Sequence, residues 1–96
     1  MPEKGNEEGR LRLPKDKEVL GVVEQIVGFD RLRVRCRDGH VRICRIPGKM
    51  KKRDWVRVED VVIVAPWEVE GDKKGDLVYR YTSTEVEWLK KRGLWE

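Results

Sequence analysis

Two sets of side chains in this chain have types and spacings suited to chemistry. Cys36, His40 and Cys44 recur every four residues and carry the sulfur and imidazole donors that zinc prefers. Arg31, Arg33, Arg35 and Arg37 alternate along one short stretch, and the basic run continues through Arg42 and Arg45 to Lys49, Lys51, Lys52 and Arg53. Between Arg31 and Arg53 stand ten Lys or Arg and one acid, Asp38, a local charge of +9 in a chain whose total is +4. Such a block attracts phosphate backbones, because each neutralised phosphate releases condensed counterions.

The metal reading fails on spacing. Strand alternation is expected to turn Cys36 inward and His40 and Cys44 outward. Four residues of strand span roughly 13 Å, too far for His40 and Cys44 to share an ion. The sequence holds no second His. The same opposition of faces argues against a Cys36–Cys44 disulfide, so Cys36 reads as a core residue and both thiols as reduced, in keeping with the cytoplasm. Catalysis has as little to work with. The single Ser, Ser83, falls in a helix cap, and no nucleophile–base pair is visible. Asp72 and Asp76 stand beside Lys73 and Lys74 in a polar turn, where solvation explains them. Gly71-Asp72-Lys73-Lys74-Gly75 lacks the spacing and the Ser/Thr of a phosphate loop. The expectation is a protein without metal, cofactor or enzymatic activity.

The elements that must position the basic block are strands. The chain has 96 residues, 39% of them apolar and 42% charged, enough for one core and one domain. Residues 1–9 read as a disordered tail, 10–82 as a barrel domain, and 83–96 as a helix and tail beside it. No apolar run approaches a membrane span and no signal-peptide core is present, so no membrane association is expected. Strand signals occupy residues 19–27, 31–37, 40–46, 61–67 and 77–81, with Gly21 a candidate bend or bulge. Asp38-Gly39 predicts a two-residue hairpin turn. Pro47-Gly48 ends the third strand, and residues 49–53 form a basic loop or short helical turn. Residues 55–58 read as a brief extended piece. Thr82 and Glu85 fit a capping box, Val86, Trp88 and Leu89 dock the helix that follows, and Gly93 suits its stop. The fold class expected is all-β: a five-stranded OB-type antiparallel barrel with a short C-terminal α-helix. A small open barrel of the SH3 class is the alternative.

A two-residue turn pairs Cys36 with Val41 and Val34 with Ile43, pointing all four inward with Leu32. The outer face then sets Arg37 against His40, Arg35 against Arg42 and Arg33 against Cys44. Arg31, Arg33, Arg35, Arg37 and Arg42 share one surface. Like charges placed opposite each other are destabilising, and a bound polyanion is the simple reason to keep them. A solvated face, or a guard against edge pairing, explains any one of these arginines alone. The whole stripe with the loop points to RNA or another nucleic acid. Phe29, Trp55, Trp67, Tyr79 and Tyr81 are the rings that could stack on bases. Trp55, directly after the basic loop, serves either as a stacking surface or as a pin holding that loop to the barrel. Trp95 lies near a free end.

The run IPGKMKKRDWVRV over residues 46–58, with DGHVRICR before it and EDVVIVAPWE after it, resembles the translation initiation factor 1A family, in its compact archaeal form. The resemblance covers roughly residues 10–92. It implies an S1-like OB-fold that binds rRNA of the small ribosomal subunit at the A site. It further implies a monomer that assists initiator tRNA and mRNA placement, works with other initiation factors and favours separated subunits. Its RNA-binding candidates are Gly48, Lys49, Met50, Lys51, Lys52 and Arg53, with Trp55 adjacent; Arg33, Arg35, Arg37, His40 and Arg42 match the family's basic surface more loosely. The short N-terminal tail, net negative over its first nine residues, departs from the long basic tail of eukaryotic members. Three other functions compete. One is a general single-stranded RNA binder or chaperone of cold-shock type, which would want a denser aromatic patch. A second is a nuclease or nuclease accessory, which would want clustered acids. The third is a module for an acidic protein partner.

Overall fold

The computed structural model describes residues 11–48 and 56–94. Five strands, β1 (Val19–Gly28), β2 (Arg31–Cys36), β3 (Val41–Arg45), β4 (Val61–Pro66) and β5 (Lys74–Arg80), are followed by the helix α1 (Ser83–Lys91). They close into a barrel in the order β1-β2-β3-β5-β4. Four of the neighbouring pairs are antiparallel. The fifth, β3 with β5, is parallel, so the barrel is not purely antiparallel as expected. Closure requires it: β3 and β5 are both reached from chain running the same way, and their pairing joins the two edges of the sheet. β5 begins three residues earlier than expected, because Lys74–Asp76 supply that ladder. Residues 57–60, in contrast, form a turn closed by Asp60 N–H to Arg57 O at 3.1 Å rather than continuing an extended piece.

Two cores explain the hydrophobic pattern. The barrel interior holds Val23, Leu32, Val34, Cys36, Cys44, Val62, Val64 and Leu77. A second cluster outside the barrel joins Leu11, Leu20, Val61, Ile63, Tyr81 and Leu89, with Val86 and Trp88 against it. β4 lies between the two, which is why Val61–Val64 form an unbroken apolar run buried on both faces. The helix is started as expected: Thr82 Oγ1 accepts from the Glu85 N–H, and Glu85 accepts from the Thr82 N–H in return. Gly93 follows at φ 73.

Gly21 is not a bulge. The β1–β2 register runs regularly through it, and the irregularities fall between Val23 and Gln25 and between Ile26 and Gly28. Glycine is required at position 21 by close approach: a Cβ there would sit 2.6 Å from Val34 Cγ1.

The β2–β3 hairpin differs from expectation by one residue. Its partners are Arg31↔Arg45, Leu32↔Cys44, Arg33↔Ile43, Val34↔Arg42 and Arg35↔Val41. The turn has three residues, Arg37, Asp38 and Gly39, closed by Cys36 N–H to His40 O at 2.9 Å and Gly39 N–H to Cys36 O at 3.1 Å. Gly39 adopts φ 96, the left-handed position that this loop length needs and that glycine supplies without strain. A one-residue slip turns every side chain of a strand over. Arg42 and Cys44 therefore point inward, while Val41 and Ile43 point out. Both cysteines are buried free thiols facing the interior, so Cys44 is not on the outer face. Burial raises both thiols, Cys44 to about 12.

Candidate nucleic-acid interface

α1 and its cluster cover the β4 side of the barrel, and the outer face of β2 and β3 stays open. On that face Arg31, Arg33, Arg35, Arg37 and His40 are exposed, as alternation along β2 requires. The corrected register changes what lies between them. Arg33 stands opposite Ile43, and Arg35 stands between Val22 on β1 and Val41 on β3. The Arg35–Arg42 opposition of the expected register does not exist. One like-charged pair remains, Arg31 with Arg45. The surface is an uninterrupted row of guanidinium groups on β2 flanked on β3 by Ile43 and Val41, which suits planar groups that both stack and carry phosphate.

The arginines differ in how they are held. Arg31 meets Asp30 at 3.1 Å, Arg35 meets Glu24 at 2.8 Å, and Arg37 donates to the Leu94 carbonyl at 2.8 Å. Arg33 has no ion pair with a described residue. The Arg31 and Arg35 ion pairs lie at the surface, where such a pair is worth about 0–1 kcal/mol, so a phosphate can displace the acid at small cost. Arg33 and Arg35 also line a groove of about 420 Å3 with Gln25, Val58 and Glu59. Glu59 holds φ 82, a conformation a non-glycine residue seldom adopts, and its N–H donates to Val23 O at 2.7 Å.

Arg42 does not belong to this face. It is 4% exposed, donates to both Asp38 oxygens at 3.0 and 2.9 Å, and sends Nε to the Gly71 carbonyl. It thus ties the hairpin tip to the β4–β5 loop. The hydrogen bond from Arg42 holds the Asp38 carboxyl below its ordinary value, against the opposing effect of burial. The lone acid of the basic block is the partner of the one arginine that turns inward.

Arg45, which the expected stripe left out, is exposed beside Arg31 and pairs with Asp76 at 3.2 Å. It also lies 5.4 Å from the Trp67 ring centre, with Lys74 5.6 Å from the same ring. Its place at the end of an alternating run (RICR) was the signal for it. Of the candidate stacking rings, Tyr79 and Tyr81 are packed edge to face at 5.1 Å, and Trp67 is partly covered among its cations. Phe29 is 88% exposed at the β1–β2 turn. Gly48 is exposed at the end of the described β3 segment, while Lys49, Met50, Lys51, Lys52, Arg53 and Trp55 lie outside the described residues, as does the 1–9 tail. Among the described residues no group of three or more His, Cys, Asp or Glu is placed to hold a metal ion. Among them, too, no helix is long and apolar enough to cross a membrane.

Comparison with known proteins extends the likeness found in residues 46–58. A solved structure, the translation initiation factor IF-1 of the Wolbachia endosymbiont of Brugia malayi, superposes with a TM-score of 0.52 at 28% identity, over 70% of this chain and 79% of that one. Translation initiation factor 1A of Methanothermobacter thermautotrophicus is 57% identical over 88% of this chain and 85% of its own length. The factor of the same name from Pyrococcus abyssi is 52% identical over 97% and 87%. The sequence pattern of the family described as Translation initiation factor 1A / IF-1 matches residues 8–96, so barrel, helix and basic segment together place this chain in that family.

Proposed function

We propose that the barrel binds the small ribosomal subunit through rRNA of the A-site region, and that the outer β2–β3 face and the 49–53 segment make the contact. The observation that carries this reading is the exposed row of Arg31, Arg33, Arg35 and Arg37, with Val41 and Ile43 beside it on β3. Folded rRNA offers phosphate-lined grooves and unstacked bases, and a rigid surface that sets a row of cations beside apolar side chains can recognise both by shape. As a translation initiation factor 1A family member, the protein is a non-enzymatic factor. It acts by occupancy: bound to one state of the subunit more tightly than to another, it biases the subunit toward initiator tRNA and mRNA placement and away from the large subunit. Contacts to tRNA and mRNA are indirect, and other initiation factors bind the same subunit.

Co-sedimentation with small and large ribosomal subunits of a related archaeon, over a series of salt concentrations and with excess single-stranded RNA as competitor, tests the reading. One factor per small subunit, retained against competitor and absent from large subunits, is the expected result. Equal binding to both subunits, or loss to competitor, would leave a general RNA chaperone.

A further inference from the structure

We infer that Phe29 is an RNA-stacking tip: its ring takes the face of an unstacked rRNA base and extends the interface from the β2–β3 face around to the β1–β2 turn. The inference rests on the ribosomal reading above and adds to it a contact of a different chemical kind.

Four observations carry it. Phe29 is the only phenylalanine in a chain of mean hydropathy −0.71, and it stands 88% exposed. The other described aromatic rings are at least partly covered: Tyr81 is buried, and Tyr79, Trp67 and Trp88 are half-buried. Ile26 and Val27 beside it are 50% and 41% exposed, so the tip is an apolar projection rather than one stray ring. A register irregularity between Ile26 and Gly28 re-aims the end of β1 at this point.

Charge and rigidity then favour RNA over a protein occupant. Gly28, Arg31 and Arg45 lie in one row across β1, β2 and β3, so the turn adjoins the two exposed guanidinium groups that face each other. The Ile46 N–H donates to the Asp30 carbonyl at 2.9 Å, which ties the turn to the chain three residues before Lys49. In an OB barrel the loop joining the first two strands is a ligand-contacting loop. A base stacked on Phe29 would leave its own phosphates within the field of Arg31 and Arg45. An apolar protein patch would have to bury those cations.

The test measures affinity for purified small subunits with Phe29→Ala, Phe29→Leu and Phe29→Trp, each over a salt series, beside Arg33→Ala and Arg35→Ala. Stacking predicts a loss of about 5- to 150-fold for Phe29→Ala, nearly the same loss for Phe29→Leu, and retained affinity for Phe29→Trp. The salt dependence should keep its slope in all three, because the ring neutralises no phosphate. Thermal melting should change little, since the side chain is 88% exposed. Full binding by Phe29→Leu would mean a generic apolar contact, as with a ribosomal protein, and would overturn the inference. Full binding by Phe29→Ala beside weakened arginine variants would overturn it and leave the ribosomal reading intact. Full binding by all five variants would overturn the inference and also the assignment of the contact to the outer β2–β3 face.

Discussion

Arg42→Met removes the inward guanidinium and keeps an unbranched stem of similar length. In the native fold that guanidinium makes two charged hydrogen bonds to Asp38, at 3.0 and 2.9 Å, and one to the Gly71 carbonyl. Charged hydrogen bonds contribute about 1.5–3 kcal/mol each and neutral ones about half that. Two terms reduce the total. Burying the guanidinium carries its own desolvation cost, which the variant no longer bears. Asp38 is 33% exposed, so in the variant it recovers part of its hydration. A net loss of about 2–4 kcal/mol follows, in line with breaking a pair that is buried on one side only. For a domain of this size that lowers the melting temperature by roughly 10–30 °C. The pH profile adds a second readout. Asp38 has its carboxyl held below the ordinary 3.8, so its contribution is complete above about pH 4 and disappears as the pH falls through the lower folded value. Arg42→Met should abolish that acid-side step. Arg33→Met, on the exposed face, should change stability by no more than about 0.5 kcal/mol. Calorimetry and urea unfolding of the two variants at pH 7 and pH 3 measure all of this. Equal, mild effects of Arg42→Met and Arg33→Met would refute the inward arginine and restore the expected register.

Three further predictions concern other parts of the molecule. Val34→Asp and Cys44→Asp should leave no cooperative unfolding transition, because each buries an unpaired carboxylate among residues with no exposure, whereas Ile43→Asp should fold and weaken RNA binding by placing an acid opposite Arg33; circular dichroism and subunit binding separate the outcomes. Stability should fall as the pH rises from about 10 toward 12, since burial pushes the Tyr81 phenol up to about 12, so the fold holds it neutral where the unfolded chain ionises it; urea midpoints at pH 8 and pH 11 check this. Charge removal at Lys49, Lys51 and Lys52 should weaken small-subunit binding and lower the slope of its salt dependence by up to about one for each phosphate no longer neutralised, with unchanged melting, and filter binding over a salt series measures it.

The sequence made the barrel legible because each strand had its own boundary signals, and because β4, covered on both sides, announced itself as an unbroken apolar run. The capping box at Thr82 and Glu85 was equally local. What escaped was the pairing of β2 with β3. Asp-Gly is a strong signal for a two-residue turn, yet the same pair also fits a three-residue loop with glycine last, and the residues of β3 do not arbitrate. Val-Arg-Ile-Cys-Arg offers two plausible inner faces: valine with isoleucine, or arginine with cysteine. Residue type favours the first, since arginine is almost never buried unless paired. The pairing was nonetheless in the sequence, because Asp38, the only acid among ten cations, stands four residues before Arg42. Counted as a dilution of the basic block, it is instead the reason the block can turn one member inward.

That inversion alters the reading of the surface as well as of the core. With Arg42 outward, the hairpin would present opposed guanidinium groups whose repulsion only a polyanion relieves. With Arg42 inward, Val41 and Ile43 come out and the opposition is reduced to Arg31 and Arg45. The face no longer needs bound RNA to be tolerated, so its arginines cannot be inferred from strain. They must be inferred from accessibility: weakly held, regularly spaced and flanked by apolar groups on β3. On the proposed function, such a surface would take phosphate with its cations and bases with the planes of its guanidinium groups. Arginine-to-lysine changes at Arg33 and Arg35 therefore distinguish the two accounts. Charge alone would survive the exchange, while stacking and forked phosphate contacts would not.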